Sequence, residues 1–360
     1  MSLENKHSTC CSSSASSCCD TSSAKQEVSF LSTYLNWKDR VGHWKVRCSF
    51  SRMNYKVEPG LYGVGKPSKD SPVLVSANYK LSVDRLRTQL TGRDVWILVL
   101  DTKGVNVWCA AGKGTFGTDE LISRIEESGL SEHVSHKNLI VPQLGATGVS
   151  AHQVKKRCGY NVKFGPVRAE DLPEYMDNKM TASEKMRKVD FPMIERAVLI
   201  PADFVLTGRN VIIAAIILAL IGGFANGTYS FYSILTTGLI YALMLIITFA
   251  AASAFGPLLL PWLPGRAFAV KGVWIGIVCF IFIILFGYDY GMPNLLNYWF
   301  NFAAWLLICS SLSSFVVMNF TGASTYTSLS GVLKEMSYAV PIQIVAGIIG
   351  VILLIAGRFI

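Results

Sequence analysis

The chain has 360 residues, of which 51% are hydrophobic and only 16% are charged. A soluble domain carries about 25% charged residues, and the deficit here is confined to one half. Residues 210–360 hold six charged side chains, whereas residues 1–209 hold 29 basic and 22 acidic ones. This distribution excludes a freely soluble enzyme and predicts a basic soluble region followed by a membrane region. Aromatic and basic residues are not interleaved as in a nucleic-acid site, so we expect no nucleic-acid partner.

The first residues are rich in Ser and Cys, and residues 1–24 are predicted to be a disordered part of an N-terminal tail, 1–54. No apolar segment suggests a signal peptide. Thiolates suit soft metals, so the tail either binds metal or is a mobile segment without a role. Its paired cysteines are Cys10–Cys11 and Cys18–Cys19. No CxxC pair exists among the nine cysteines, which argues against zinc and iron–sulfur sites.

Apolar runs alternate with helical patterns through the predicted α/β domain, residues 55–195. The predicted strands are 73–75, 95–100, 139–141 and 161–164, and the predicted helices are 81–90, one starting at Thr118, and 149–158. This alternation is typical of a Rossmann-like domain with a parallel sheet. Ligands of such sheets bind beyond the carboxyl ends of the strands. The candidate site is therefore formed by the loops 76–80, 101–118 and 142–148.

The longest of these loops contains the sequence GKGTFG at residues 112–117, a GxGxxG pattern. Such a pattern is typical of dinucleotide sites when it directly follows a strand. Here the strand 95–100 ends well before the glycines, and the next strand is followed by no acidic residue that would bind a ribose. A membrane protein with a dinucleotide-binding domain remains an alternative.

The same loop contains NVWCAAGK at residues 106–113, which places Cys109 beside Trp108 and several small residues. Small residues allow a large planar ligand to approach the backbone, and a thiolate is a metal ligand. Lys113 would help to keep the thiol deprotonated. The other interpretation is a buried cysteine in a tight turn, and the spacing alone favours it.

The second half contains five apolar runs long enough to cross a bilayer, joined to the α/β domain by a linker, 196–209. The predicted spans are about 210–226, 231–255, 267–287, 298–318 and 340–357. The basic residues predict that residues 1–209 and the loop 319–339 lie on the cytoplasmic side of the inner membrane. No ionisable residue lies deep in a predicted span, which favours an anchor or docking scaffold over a channel. The polar loop 319–327 is a candidate for lining a site that faces the soluble region.

The segment 106–113 matches, at all eight positions, the signature N(V/I)WCA(A/G)GK of the mercury-methylating corrinoid proteins. Residues 76–79, 97–103 and 143–146 resemble the corrinoid iron–sulfur protein of the acetyl-CoA pathway, although the cysteine pattern of its iron–sulfur domain is missing. The resemblance covers about residues 55–360.

This resemblance implies a cobalamin-type corrinoid in the α/β domain, with a cap helix below the corrin ring and Cys109 as catalytic residue and lower axial ligand to cobalt. None of the five histidines lies in the DxHxxG context that supplies the ligand in other B12 domains. The implied cofactor-binding residues are Asn106, Val107, Trp108, Cys109, Ala110, Ala111, Gly112, Lys113, Asn78, Tyr79, Gln143, Leu144, Gly145 and Ala146.

The implied activity is transfer of a methyl group from cobalt to Hg(II), which forms methylmercury. The implied partners are a ferredoxin-like protein with two 4Fe–4S clusters as electron donor and a methyl donor from the folate pathway. A non-enzymatic metal-handling membrane protein, based on the tail cysteines, is a further alternative.

Overall fold

The computed structural model describes residues 28–225, 227–287, 299–320 and 329–359. The paired tail cysteines and the polar loop from residue 321 onward therefore lie outside the described residues. The described part contains a six-stranded sheet with its helices, followed by a region of long apolar helices.

The α/β region contains six strands and seven helices among its described residues. The strands are β1 (Ser29–Phe30), β2 (Gly60–Val64), β3 (Val73–Ala77), β4 (Val95–Leu100), β5 (Asn138–Val141) and β6 (Asn161–Phe164). The helices are α1 (Trp37–Arg47), α2 (Lys80–Thr88), α3 (Val107–Lys113), α4 (Thr118–Glu127), α5 (Leu130–His133), α6 (Ala151–Cys158) and α7 (Leu172–Asp177).

The sheet has the strand order β1-β2-β4-β3-β5-β6. The strands β3 to β6 are parallel, as predicted, and all six residues of β4 are buried because helices cover both faces. The prediction of a wholly parallel sheet is wrong at β2, which runs antiparallel to β4. The sequence of β2, GLYGV, is short and rich in glycine, so its pairing partner gives it the strand conformation rather than its own propensity.

Residues 28–54 are part of the α/β region and do not form a separate tail. Helix α1 begins with a capping box between Asn36 and Asp39. The Asp39 carboxylate then pairs with Lys80 (2.6 Å) and Arg87 (2.7 Å) of α2. Arg87 also pairs with Asp84 at 2.7 Å. This buried ion network joins α1 to α2.

The second region contains the helices α8 (Met193–Ala197), α9 (Ile200–Ile221), α10 (Phe231–Ser233), α11 (Leu239–Leu259), α12 (Phe268–Gly287), α13 (Trp299–Asn319) and α14 (Leu329–Ala356), with a short hairpin of β7 (Phe224–Ala225) and β8 (Thr228–Tyr229). In the described part, five helical segments are long and apolar enough to cross a membrane. This confirms the predicted number of spans and indicates a multi-pass membrane protein.

The ends of two spans differ from the prediction. Helix α9 begins at Ile200, so most of the predicted linker is helical. Asp203 therefore lies within this span, where its carboxylate accepts a hydrogen bond from Ser253 at 2.6 Å. Helix α14 begins at Leu329 rather than at 340, and Glu335 accepts a hydrogen bond from the Ala269 backbone at 2.7 Å. The prediction that these polar side chains lie in loops is therefore wrong, because neighbouring helices supply their partners.

The two regions meet at a packed junction. Arg168 pairs with Glu195 at 2.9 Å. Phe191 and Leu199 pack against a small apolar cluster formed by Leu260, Phe268 and Phe320. The end of α11, the start of α12 and the end of α13 therefore lie on the α/β side of the helices, as the predicted topology requires.

Candidate functional site

The side chain of Asn78 connects the carboxyl ends of β3 and β4. Its Oδ1 accepts hydrogen bonds from the Thr102 N–H (3.1 Å), the Thr102 hydroxyl (2.9 Å) and the Gly104 N–H (2.9 Å). Its Nδ2 donates to Asp101 Oδ1 at 3.1 Å. Asn78 is only 1% exposed, so a single buried amide holds the loop that precedes α3.

Asn106 fixes the start of α3. It is the N-cap residue, and its side-chain oxygen accepts a hydrogen bond from the Cys109 backbone N–H at 2.9 Å. Before it, Lys103 and Gly104 adopt positive φ values of 58° and 75°, which turn the chain sharply after β4. The position of the Cys109 backbone therefore depends on an ordered loop and a capped helix.

The two sides of α3 differ in exposure. The buried side consists of Val107, Ala110 and Ala111. Cys109 is half-buried, and Gly112 and Lys113 are exposed. Residues three and four apart share a helix face, so Cys109 lies on the same side as these two residues. A Cβ built on Gly112 meets no atom within 4 Å, and this side of α3 therefore combines a thiol with open backbone.

The turn Gln143–Gly145 packs against α3. A Cβ on Gly145 would lie 2.5 Å from the Phe116 ring, and one on Gly148 would overlap the Phe116 carbonyl oxygen. These glycines serve close packing between chain segments, in contrast to Gly112. The Gln143 Oε1 atom is buried and has no hydrogen-bond partner within the described part of the chain.

The predicted site residues therefore fall into two groups. Helix α3 and the residues 143–146 lie together, with Gln143, Leu144 and Ala146 half-buried and Gly145 buried. Asn78 and Tyr79 are buried at the end of β3, where Tyr79 is the N-cap residue of α2. The predicted contacts of all these residues with a corrinoid stay predictions.

Thr102, Phe116 and Gly148 lie in the candidate loops 101–118 and 142–148, but the sequence alone assigns none of them a role. Thr102 is fully buried and carries two of the hydrogen bonds to Asn78. Phe116 is fully buried beneath Gly145 and Gly148. The sequence offers two hints of these roles: Phe116 is the single aromatic residue within GKGTFG, and Gly148 is a glycine inside the predicted loop 142–148.

Asp101 is an ionised group at the edge of the site. Burial raises its pKa, but hydrogen bonds from the Lys103 side chain and backbone and from Asn78 outweigh this effect, so the pKa is lowered. The backbone N–H of Asp101 donates to Glu120 Oε1 at 2.8 Å. These contacts tie the end of β4 to α4.

The GKGTFG glycines do not lie in the turn between a strand and a helix. Gly112 lies within α3, Gly114 ends that helix with a φ of 81°, and Gly117 is the N-cap residue of α4. The first turn of α4 holds Asp119 and Glu120, whose charges disfavour a pyrophosphate there. This geometry argues against the dinucleotide alternative.

Residues 50–176 match the family model of the CO dehydrogenase/acetyl-CoA synthase delta subunit. The acetyl-CoA decarbonylase/synthase complex subunit gamma of Methanopyrus kandleri is 32% identical over 126 residues, which are 34% of this chain and 27% of that protein. The same subunit of Archaeoglobus fulgidus is 29% identical over 135 residues, 37% of this chain and 28% of that protein. The same subunit of Methanosarcina acetivorans is 31% identical over 130 residues, which are 35% of this chain and 27% of that protein.

The chain thus spans about a quarter of the length of these curated relatives. The family match ends before α8, so it concerns the α/β region. The matches confirm that this region is related to proteins of acetyl-CoA synthase and decarbonylase complexes. The finer resemblance to the mercury-methylating corrinoid proteins stays a prediction.

Proposed function

We propose that this protein is a membrane-anchored, corrinoid-dependent methyltransferase that passes a methyl group to Hg(II) and forms methylmercury. The observation that carries the proposal is the Cys109 thiol of NVWCAAGK on the open side of α3, at the carboxyl edge of the sheet. The relation of residues 50–176 to subunits of the acetyl-CoA complexes supports the choice of methyl transfer.

Three features of the site suit a corrinoid. The thiolate of Cys109 is a soft ligand appropriate to a transition metal. The absence of a Cβ at Gly112, on the same side of α3, leaves space for a flat macrocycle. The Gln143 Oε1 atom, buried and without a donor among the described residues, can accept a hydrogen bond from an amide of such a ligand.

The residues of the chain have separable roles in this proposal. Asn106 fixes the backbone of Cys109, and Asn78 holds the loop that leads into α3. Lys113 lies one turn after Cys109 on the same exposed side of α3. Cys109 would hold a bound metal through its thiolate. A bound corrinoid would supply a cobalt-held methyl group, which Hg(II), an electrophile, accepts together with the bonding electron pair.

The apolar helices anchor this domain, and the distribution of basic residues favours a cytoplasmic position for residues 1–209. A ferredoxin-like protein with two 4Fe–4S clusters is the proposed electron donor. A donor from the folate pathway is the proposed methyl source.

The test is an anaerobic assay of methylmercury formation by the purified full-length chain, supplied with methylated corrinoid and Hg(II). Cys109→Ala should lower the rate by at least about 100-fold, since even indirect partners of a metal have effects of that size. Cys158→Ala is the matched control, because Cys158 is also half-buried in the α/β region but its thiol donates to the Val154 carbonyl within α6. Equal rates for Cys109→Ala and the native chain would contradict the proposal.

A further inference from the structure

Two cysteines of the apolar helices face the same threonine. The Thr248 hydroxyl of α11 lies 3.3 Å from the sulfur of Cys309 in α13 and 3.9 Å from the sulfur of Cys279 in α12. Cys279 is 8% exposed, and Cys309 and Thr248 are fully buried. Both thiols are free. Two sulfur atoms from different helices therefore approach one point in the interior of the bundle.

Close packing of α12 against α13 brings the two cysteine-bearing backbones together. A Cβ on Gly276 would lie 2.6 Å from the Cys309 carbonyl oxygen, and one on Gly272 would lie 2.5 Å from the Ser313 carbonyl oxygen. Small residues four apart are the usual means by which membrane helices achieve such an approach. The relative position of the two thiols is thus set by the helices and not by a loop.

Hydrogen bonding does not account well for this cluster. The Thr248 hydroxyl donates its hydrogen to the Met244 carbonyl of its own helix at 2.8 Å. Its oxygen can still accept from the S–H groups of Cys309 and Cys279, but a thiol is a weak donor and the 3.9 Å contact to Cys279 is long. The hydroxyl hydrogen of Thr248 therefore has an acceptor without either cysteine, and the two thiols are held there only by weak hydrogen bonds.

The surroundings select the kind of ion that the two thiols can bind. The core cluster that contains both cysteines also contains Phe249, Ile275 and Phe280, and a net charge is strongly unfavourable in such apolar surroundings. Two thiolates and a divalent cation form a neutral unit, whereas a monovalent soft cation would leave a net negative charge. Zinc usually takes four ligands, and the described residues include no group of three or more His, Cys, Asp or Glu side chains that could hold a metal.

We propose that Cys279 and Cys309 form a two-coordinate thiolate site for a divalent soft cation of the Hg(II) class. On binding, two S–H bonds break, two sulfur–metal bonds form and two protons leave to the solvent, with no change of oxidation state. The site goes beyond the proposed methyl transfer, because it requires no corrinoid and provides a binding position for the metal within the membrane region.

The test uses a full-length variant in which the seven other cysteines are replaced by alanine, purified in detergent and titrated with Hg(II) chloride. X-ray absorption at the mercury edge counts the sulfur ligands, and a pH-stat counts the protons released. We expect one Hg(II) per chain, two sulfur ligands and two protons. A further change, Cys279→Ala or Cys309→Ala, should leave one sulfur ligand and weaken binding by at least about 100-fold.

Ser310→Ala is the matched control, since Ser310 follows Cys309 on α13 and its own Cα packs against Gly276; it should leave the two-sulfur signal unchanged. Where an alanine variant does not fold, Cys279→Ser and Cys309→Ser keep the size of the side chain and carry the same test. Fewer than two sulfur ligands in the two-cysteine chain, or two ligands after loss of either cysteine, would overturn the site. Because no corrinoid is present, neither result bears on Cys109.

Discussion

The two regions of the molecule place cysteine in opposite surroundings. In the α/β region, Cys109 lies half-exposed on a short helix, beside a glycine with open space around it. In the helical region, Cys279 and Cys309 lie in the apolar interior, held by closely packed backbones. A cysteine thiol is thus placed to meet an external ligand in the α/β region and to enclose an ion in the helical region.

Glycines likewise have two different roles in the molecule. Gly112 leaves space at a surface, whereas Gly148 and Gly276 allow two segments of the chain to touch. Substitutions that fill each space should therefore separate a binding role from a packing role.

The largest effect is expected for Asn78→Ala. This change leaves two buried backbone N–H groups, those of Thr102 and Gly104, without their acceptor, whereas the Thr102 hydroxyl keeps the Val105 carbonyl; we expect the free energy of unfolding to fall by about 3 kcal/mol. Denaturant unfolding of the purified chain measures it. The exposed Asn138 provides the control, since Asn138→Ala should change this free energy by no more than about 0.5 kcal/mol. Equal effects at the two positions would refute the role given to Asn78.

A somewhat smaller effect is expected for Gly276→Ala in the helical region. The added methyl group meets the Cys309 carbonyl, so α12 and α13 must separate, at a cost of about 2 kcal/mol. Gly347→Ala is the matched control, because a Cβ there meets the Ser311 hydroxyl at an ordinary 3.5 Å. Thermal unfolding followed by circular dichroism distinguishes the two variants, and a lower midpoint for Gly347→Ala alone would contradict the packing described.

Gly112→Ala should separate stability from binding. Alanine in a helix interior is favoured over glycine by about 1 kcal/mol, and no atom opposes the new methyl group. We therefore expect unchanged or higher stability but weaker corrinoid binding, measured by equilibrium titration. Gly148→Ala should instead lower stability, because its methyl group overlaps the Phe116 carbonyl. Tight corrinoid binding by a stable Gly112→Ala chain would show that the ligand does not approach this backbone.

The smallest expected effect is the loss, at low pH, of the contribution that Asp39 makes to the free energy of unfolding. Burial raises the pKa of Asp39, but hydrogen bonds from Lys80, the Asn36 N–H and Arg87 outweigh it, so the pKa lies below its usual value of 3.8. Asp39 therefore stabilises the fold above about pH 4, and this contribution is lost as the pH falls through the lowered pKa. The difference in unfolding free energy between the native chain and Asp39→Asn should shrink as the pH is lowered from about 5 through the lowered pKa. A constant difference over that range would be the contrary result.

Much of the fold follows from local patterns in the sequence. The continuous apolar run of β4 and the five apolar spans are recognisable without any partner. Strand β2 and the true starts of α9 and α14 are not, because each depends on distant contacts, such as the pairing of β2 with β4. At the site, the motif around Cys109 is visible in the sequence. The role of Asn78 in holding the loop is not, since it requires two strand ends to be adjacent in space.

The most direct test of the central claim is the anaerobic absorption spectrum of the full-length chain with added corrinoid, compared with that of Cys109→Ala. The account predicts that the native chain binds the corrinoid and that removal of the thiol shifts the spectrum, because the ligand below cobalt changes. Cys158→Ala should leave the native spectrum intact. Identical spectra for the native chain and Cys109→Ala, or no bound corrinoid in either, would contradict the assignment of Cys109 as the metal ligand.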